Sequence, residues 1–444
     1  MTGPFDLAIV GGTVVAADGR RRANVYVRDG RVAAVEPELH AAAERVDADG
    51  LLVLPGMVDV HVHLMDPADP AREDFPTGTA AAAVAGVTTV VEHTHARPVV
   101  TADDLAAKRA YLRDRACVDF GLGAHALPGR DDAVAGVWRA GAAFLKAFTC
   151  TTHGLTGFST AELRRLFVAA GEAGAVCLVH CEDDALTADA ERALRAAHRD
   201  DGSIVAAWRN LDAELVALAT VEVLARRTGA RVVCAHVGSI EALEQLDGDV
   251  LVETCPQYLT LYADDALEHG ALRKYTPPAR ARDPEDHAAL WAALADGRID
   301  YVASDHAPST RAQKAAGSIW DVHFGLPGLD TTLPVLLDAA AAGRITYERL
   351  VAVYAERPAE IYGFAGRKGA LRPGADADVV LVDPTARWTV SDAAIVSRAG
   401  WSPYSGRTLT GHAVATYLRG RLIARDRRLQ TAPGVGRFVA GGGA

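Results

Sequence analysis

The chain has 444 residues, half of them hydrophobic, with 57 acidic side chains against 46 lysines and arginines and a formal charge of -11. That charge is spread along the sequence, and no lysine- or arginine-dense block offers the phosphate contacts that nucleic-acid binding depends on, so no nucleic-acid partner is expected. No uncharged apolar run reaches membrane-spanning length, and "MTGPFDLAIVGG" lacks a charged region followed by a long apolar one. The expectation is a cytoplasmic protein with no membrane partner.

At this length one small core is insufficient, and a barrel-sized domain with one accessory domain is the natural arrangement. The N-terminal stretch from residue 5 to 54 contains short β-patterned pieces, "FDLAIVGGTVVAADG", "ANVYVRDGRVAAVE" and "GLLVLPG", separated by Gly, Asp and Asn turn signals. The middle then alternates apolar strands with Ala/Leu-rich helices, the pattern of parallel α/β architecture. Eight strands are predicted: "MVDVHVH" from 57, "TTVVEH" from 88, "VDFGLGA" from 118, "AAFLKAF" from 142, "AVCLVH" from 175, "RVVCAH" from 231, "VLVETC" from 250 and "IDYVASD" from 299. Interleaved with helices such as "AELRRLFVAAGEAG", they predict an α/β fold of the (β/α)8 TIM-barrel type. An open doubly wound sheet is disfavoured because no GxGxxG follows the first strand.

The C-terminal region returns to β-patterning with "ADADVVLVD", "ATYLRGRLIA" and "GVGRFVAG". Residues 1–54 and 366–444 are therefore expected to build one composite β-sandwich, with 55–365 forming the barrel. The six cysteines show no CxxC pair and lie mostly in apolar stretches, which predicts buried, reduced thiols. The tail from Gly441 to Gly443 is expected to be mobile.

Polar, metal-competent residues stand at the carboxyl ends of five of these strands: His61 and His63, Lys146, His180, His236 and Asp305. In a barrel those ends converge on one mouth. A single buried histidine is commonly a satisfied core residue, but His61 and His63 lie two apart on a strand and so share a face and can approach one ion. Lys146 in "AAFLKAFTC" is a costly place for an unpaired ammonium. Snorkelling to the mouth accounts for it, and so does carbamylation by CO2 to an anionic group able to bridge two metals.

These motifs resemble the amidohydrolase superfamily, in the cyclic amidase branch that contains allantoinase, dihydropyrimidinase or hydantoinase, and dihydroorotase. The resemblance runs nearly the whole length, through "LPGMVDVHVHL", "EDFPTGTAAAAVAGVTTVVE", "FLKAF", "VHCED", "AHVGS", "ETCPQYLTL", "KYTPPAR", "VASDHAP", "FGLPGLDTTLPVLL", "KGALRPGADADVVLVD" and "WSPYSGRTLTGH". It implies two divalent metal ions, with Zn2+ the first choice for imidazole and carboxylate ligands. His61, His63 and Asp305 would hold the more buried ion, His180 and His236 the more exposed one, and N-carboxylated Lys146 would bridge them. Asp305 would act as general base and then general acid in opening a small cyclic amide. A homodimer or homotetramer is implied as well. Dihydropyrimidinase-like scaffolds that have lost their ligands form the competing class, and retention of all six candidate ligands argues against it.

Departures from the family pattern bear on the substrate. Dihydroorotases continue HxH as HxHxRE, with an arginine on the substrate carboxylate, whereas this chain has Leu64, Met65 and Asp66. An apolar methionine cannot replace that fork, so dihydroorotate is disfavoured. Dihydropyrimidinases carry a tyrosine five residues after the bridging lysine. Thr151 stands there, with Thr152 and His153 beside it as alternative hydrogen-bond donors. After the second strand, "VEHTHARP" places His93, His95 and Arg97 where a proline and an asparagine are usual, making His95 and Arg97 candidate substrate contacts. Pro256 and Gln257 in "CPQYL", and His306 beside Asp305, complete the predicted substrate set, and the loop from Ala307 to Val322 is expected over the mouth. Allantoin-like or hydantoin-like rings are expected ahead of dihydropyrimidines.

Overall fold

Eight parallel strands, built from β-branched and aliphatic residues buried on both faces, form the wall of a barrel in the computed structural model, which describes residues 4–443. They are Met57–Val62, Val87–Glu92, Asp119–Leu122 continued by Ala124–His125, Leu145–Phe148, Val176–His180, Arg231–Cys234, Leu251–Thr254 and Tyr301–Val302. The runs are mostly apolar because one face meets the surrounding helices while the other fills the lumen. Neighbouring strands pair in parallel register, with Leu122 beside Glu92, Phe148 beside His180 and Thr254 beside Val302. A bridge between Val62 and His306, in which His63 N donates to His306 O at 2.8 Å, closes the circle. The third strand breaks at Gly123, where a Cβ would lie 2.3 Å from the Phe144 ring, so only glycine lets the wall pass that side chain.

The helix Thr160–Ala173 shows how the outer layer is specified. The Ser159 hydroxyl accepts from Glu162 N while the Glu162 carboxylate accepts from Ser159 N, satisfying donors that a helix start leaves unpaired. Leu163, Leu166, Phe167 and Ala170 recur at helical spacing and bury one face, and Gly174 at φ 69° ends the helix.

The terminal segments build two sheets. Phe5–Val10 sits between Asn24–Arg28 and Ala42–Asp47 in a four-stranded sheet, and Leu52–Pro55 pairs with both Thr13–Ala16 and Val379–Thr389 in a seven-stranded one. Leu7, Ile9 and Val25 from the first sheet and Val53, Val379 and Tyr417 from the second share one apolar core. Strand Leu52–Pro55 in this unit and strand Met57–Val62 in the barrel are separated by Gly56 alone.

The C-terminal tail differs from expectation. Val439 N donates to Phe120 O at 2.8 Å and Gly441 N to Gly141 O at 3.0 Å, so the chain returns to the barrel and packs along its third strand. A Cβ at Gly441 would lie 2.5 Å from Ala142 O, and one at Gly443 2.3 Å from Trp138 O. These glycines serve close backbone approach, where the composition suggested mobility. All six cysteines are buried and free. Among the described residues no helix is long and apolar enough to cross a membrane.

Candidate metal centre

His61, His63, Lys146, His180, His236 and Asp305 converge at the carboxyl end of the barrel, and apart from Asp305 each is buried. Asp305 Oδ1 lies 3.2 Å from His61 Nε2 and 3.3 Å from His63 Nε2. His180 Nδ1 and His236 Nε2 face each other at 3.0 Å. Two ligands of one tetrahedral ion, each about 2.0–2.1 Å from it, stand roughly 3.3 Å apart, so both groupings have the right scale. His236 and Asp305 take positive φ angles, 44° and 46°, as the chain turns sharply off the ends of their strands. A non-glycine residue pays for that conformation, and functional sites are where such strain accumulates.

The site is held by groups behind it. His63 Nδ1 donates to His93 O at 2.9 Å, which leaves its Nε2 lone pair toward Asp305. Glu253 lies 2.7 Å from His61 Nδ1, accepts from His236 N at 3.1 Å and accepts from the Tyr301 hydroxyl at 2.7 Å. Burial pushes its carboxyl up to about 8 against the pull of Lys146. Glu182 Oε2 pairs with His180 Nε2 at 2.6 Å, and Arg209 and Thr276 donate to the same oxygen at 3.2 and 2.8 Å. Burial alone would raise the Glu182 carboxyl, but Arg209 and His180 hold it at about 2. Cys150 lies near His180 and Glu182, yet Arg209 grips both its sulfur and the carboxylate, and burial pushes the thiol upward, so this trio supports the site.

Burial keeps His61, His93 and His236 well below the usual imidazole range, hence neutral, the state a metal ligand requires. Lys146 is lowered by the same cause, opposed by Glu253 and Asp305. Its Nζ and His236 Nδ1 are buried without hydrogen-bond partners. Unpartnered buried polar atoms are expensive. Divalent ions, with CO2 on the lysine, would use Lys146 Nζ, so the donor set fits them. His93 belongs to the same neighbourhood. It can offer a ring nitrogen within 4.8 Å of those of His61 and His63, and both its nitrogens are buried without partners.

A cavity of about 500 Å3 opens over Asp305 and His63, lined also by Met65, Arg72, His95, His153, Lys274 and the segment Trp320 to Gly325. The predicted substrate contacts divide here. His95 lines the cavity, its Nδ1 lying 3.0 Å from His125 Nε2 and its ring stacked on His153 at 4.7 Å. Arg97 faces a separate pocket with Pro67, Lys108 and Tyr111, while His95 and Ala96 line the cavity over the site. Thr151 points outward: its N donates to Asp184 and its hydroxyl accepts from Gly157 N at 3.2 Å, while His153 and Gly154 of that loop line the cavity. Pro256 and Gln257 are buried in a turn, their carbonyls accepting from Leu259 N and Leu261 N, and neither lines the cavity. His306 is buried in the wall, where Nδ1 accepts from Gly328 N at 3.0 Å and Nε2 lies 3.4 Å from Glu73. Residues outside the predicted set, Glu253, Glu182, His125 and Arg72, matter to the site. A charged residue inside an apolar strand, the feature that marks Lys146, also marks Glu253 within "VLVETC".

The Amidohydrolase family model matches residues 52–401. The allantoinase of Rubrobacter xylanophilus is 37% identical over 98% of this chain and 97% of its own length. The dihydroorotase of Halobacterium salinarum is 36% identical over 88% of this chain and 91% of its own. Among solved structures, L-hydantoinase (dihydropyrimidinase) from Arthrobacter aurescens superposes with a TM-score of 0.94 at 31% identity, covering 98% of this chain and 100% of that one. Agreement in family, fold and length leaves no large part of the chain unaccounted for: it belongs to the amidohydrolase family, in the cyclic amidase branch, and is a hydrolase of carbon–nitrogen bonds.

Proposed function

We propose that this hydrolase uses two divalent ions, Zn2+ in the first instance, to open a five-membered cyclic ureide of the allantoin or hydantoin kind. The observation that carries the reading is the paired spacing: Asp305 within 3.3 Å of two imidazole nitrogens, and His180 against His236 at 3.0 Å, around a buried amine without a partner. His61, His63 and Asp305 would hold one ion, His180 and His236 the other, and Lys146 would bridge them as its N-carboxylate. In that modification the neutral amine adds to the carbon of CO2 and loses a proton, and the burial that lowers Lys146 favours the amine form. When bound, such ions polarise a carbonyl and bring the pKa of water near neutrality.

The chain's own residues orient and move protons. Glu253 and the His93 carbonyl fix the rings of His61 and His63. Asp305 takes the proton of the attacking water and returns it to the ring nitrogen as the amide C–N bond breaks, giving an N-carbamoyl acid. His95 and His153 meet the polar edge of the ring from the cavity wall. The allantoinase and L-hydantoinase relatives support five-membered rings, and Met65 removes the arginine a dihydroorotase-like pattern expects. The same resemblance supports a cytoplasmic homodimer or homotetramer, read out by light scattering. Hydantoin, allantoin, dihydrouracil, dihydroorotate and simple cyclic imides should be assayed with Zn2+, Mn2+ or Co2+. Ring opening of hydantoin or allantoin is expected, and no turnover on the whole panel would overturn the reading in favour of a scaffold.

A further inference from the structure

One wall of the cavity holds a guanidinium with no carboxylate at ion-pairing distance among the described residues. Arg72 is 8% exposed, and its Nε donates to Pro308 O at 2.9 Å and Ser309 Oγ at 3.1 Å. Its two terminal nitrogens have no hydrogen-bond partner among the described residues and are not sealed in the interior, so they open to the cavity that Arg72 lines. A buried guanidinium ordinarily meets a carboxylate, since desolvation is costly otherwise. Arg209, Arg280 and Arg427 do so, with Glu182, Glu214 and Asp330 each at 3.2 Å. Asp69 lines the same cavity and acts on Arg72 through its charge, but beyond ion-pairing distance.

Two buried lysines flank it. Lys274 Nζ donates to Ile319 O and Val322 O, each at 2.6 Å, and Lys314 Nζ to His323 O at 2.8 Å and Lys274 O at 3.1 Å. Backbone carbonyls satisfy their hydrogen bonds, while burial lowers Lys274 to about 8 and Lys314 well below the usual amine range, so Arg72 is the firmly charged group of this wall. Asp321, another carboxylate of this wall, is turned onto Ser318, accepting from its N at 3.1 Å and its hydroxyl at 2.8 Å. Burial lowers Arg72 to about 10, so it remains charged at neutral pH.

We propose that the ring opened here carries a carboxylate on its side chain, and that Arg72 receives that carboxylate through a two-pronged pair. This rests on the cyclic-amide reading and specifies its substrate class. Met65 and Arg72 line one cavity, so the loop after the first strand supplies a guanidinium fork although the position two residues past His63 does not. The cavity volume of about 500 Å3 accommodates a ring with such a side chain.

The test compares hydantoins bearing a 5-carboxymethyl or 5-carboxyethyl group with their carboxamides, on the metal-loaded wild type and Arg72→Met. The wild type should favour the acids in kcat/KM by about 10- to 100-fold, mainly through KM, and that preference should collapse toward unity in R72M. Equal rates for acid and amide on the wild type, needing no variant, would overturn the proposal. So would an acid preference that survives R72M. If no ring opens, the cyclic-amide reading fails separately, and calorimetric titration of the same compounds then decides. Acid-selective binding lost in R72M supports an anion site at Arg72, whereas equal binding of acid and amide, or of acetate as tightly as the acid, overturns it.

Discussion

Lys146 concentrates the chemistry of this barrel in one nitrogen. It is buried and has no hydrogen-bond partner, a condition that a carbamate shared between two ions would relieve. Protein equilibrated with 13C-bicarbonate and Zn2+ should therefore show a carbamate carbon resonance that Lys146→Ala lacks. A spectrum without that resonance in the wild type would mean the amine stays unmodified. His93 poses the complementary case, with two buried nitrogens and no partner for either. Replacing it with leucine removes polar atoms whose burial costs about 1–3 kcal/mol each. Metal-free His93→Leu is expected to unfold at higher urea than metal-free wild type, and a lower midpoint would show that the ring has a partner in the folded state.

At the scale of elements, the helix Leu211–Thr228 carries a buried carboxyl that couples the barrel to pH. Burial raises Glu214 to about 7, and Arg280, at 3.2 Å, only partly offsets it. The folded state thus binds more protons than the unfolded chain between about pH 4.5 and 7, so this group's contribution is full below that window and is lost as pH rises through it. The loss is on the order of 3 kcal/mol. Glu214→Gln should flatten the fall in stability across the window, measured by urea unfolding at pH 5 and pH 7.5. An unchanged difference between the two pH values would assign the dependence to other groups. The loop over the cavity is held differently, by Lys274 and Lys314 reaching backbone carbonyls from Ile319 to His323, so its position relies on the hydrogen bonds of two buried lysine amino groups.

For the whole molecule, the junction of barrel and sheets is an ionic cluster. Lys368 Nζ lies 2.5 Å from Asp119, 2.8 Å from Asp378 and 3.0 Å from Asp376, and Arg419 also meets Asp119. Removing the lysine would leave the buried Asp378 without an ion-pair partner, Asp119 with Arg419 and Asp376 with Arg367, so Lys368→Met should cost about 3–5 kcal/mol in thermal or urea unfolding, and a cost under about 1 kcal/mol would contradict this role. Much of the architecture was legible beforehand. Apolar runs located all eight barrel strands, five of them ending in His or Asp, because a parallel strand buried on both faces concentrates its polarity toward the mouth. Thr151 and Arg97 were not legible, since loop geometry decides which way a side chain points and no periodicity records it. Gly441 misled for a related reason: glycine permits both disorder and the close backbone packing found against Ala142. Arg72 lay within no strand pattern, and its open guanidinium could be recognised only from the partners it lacks.

On the proposed reading, six side chains from five strands hold two ions. Elemental analysis of protein purified without chelator, or after loading with Zn2+ and desalting, measures their number directly. Close to two divalent ions per chain are expected in the wild type and well under one in Lys146→Ala. A folded wild type that retains no metal, and whose hydrolysis of cyclic amides does not respond to added Zn2+, Mn2+ or Co2+, would contradict that reading.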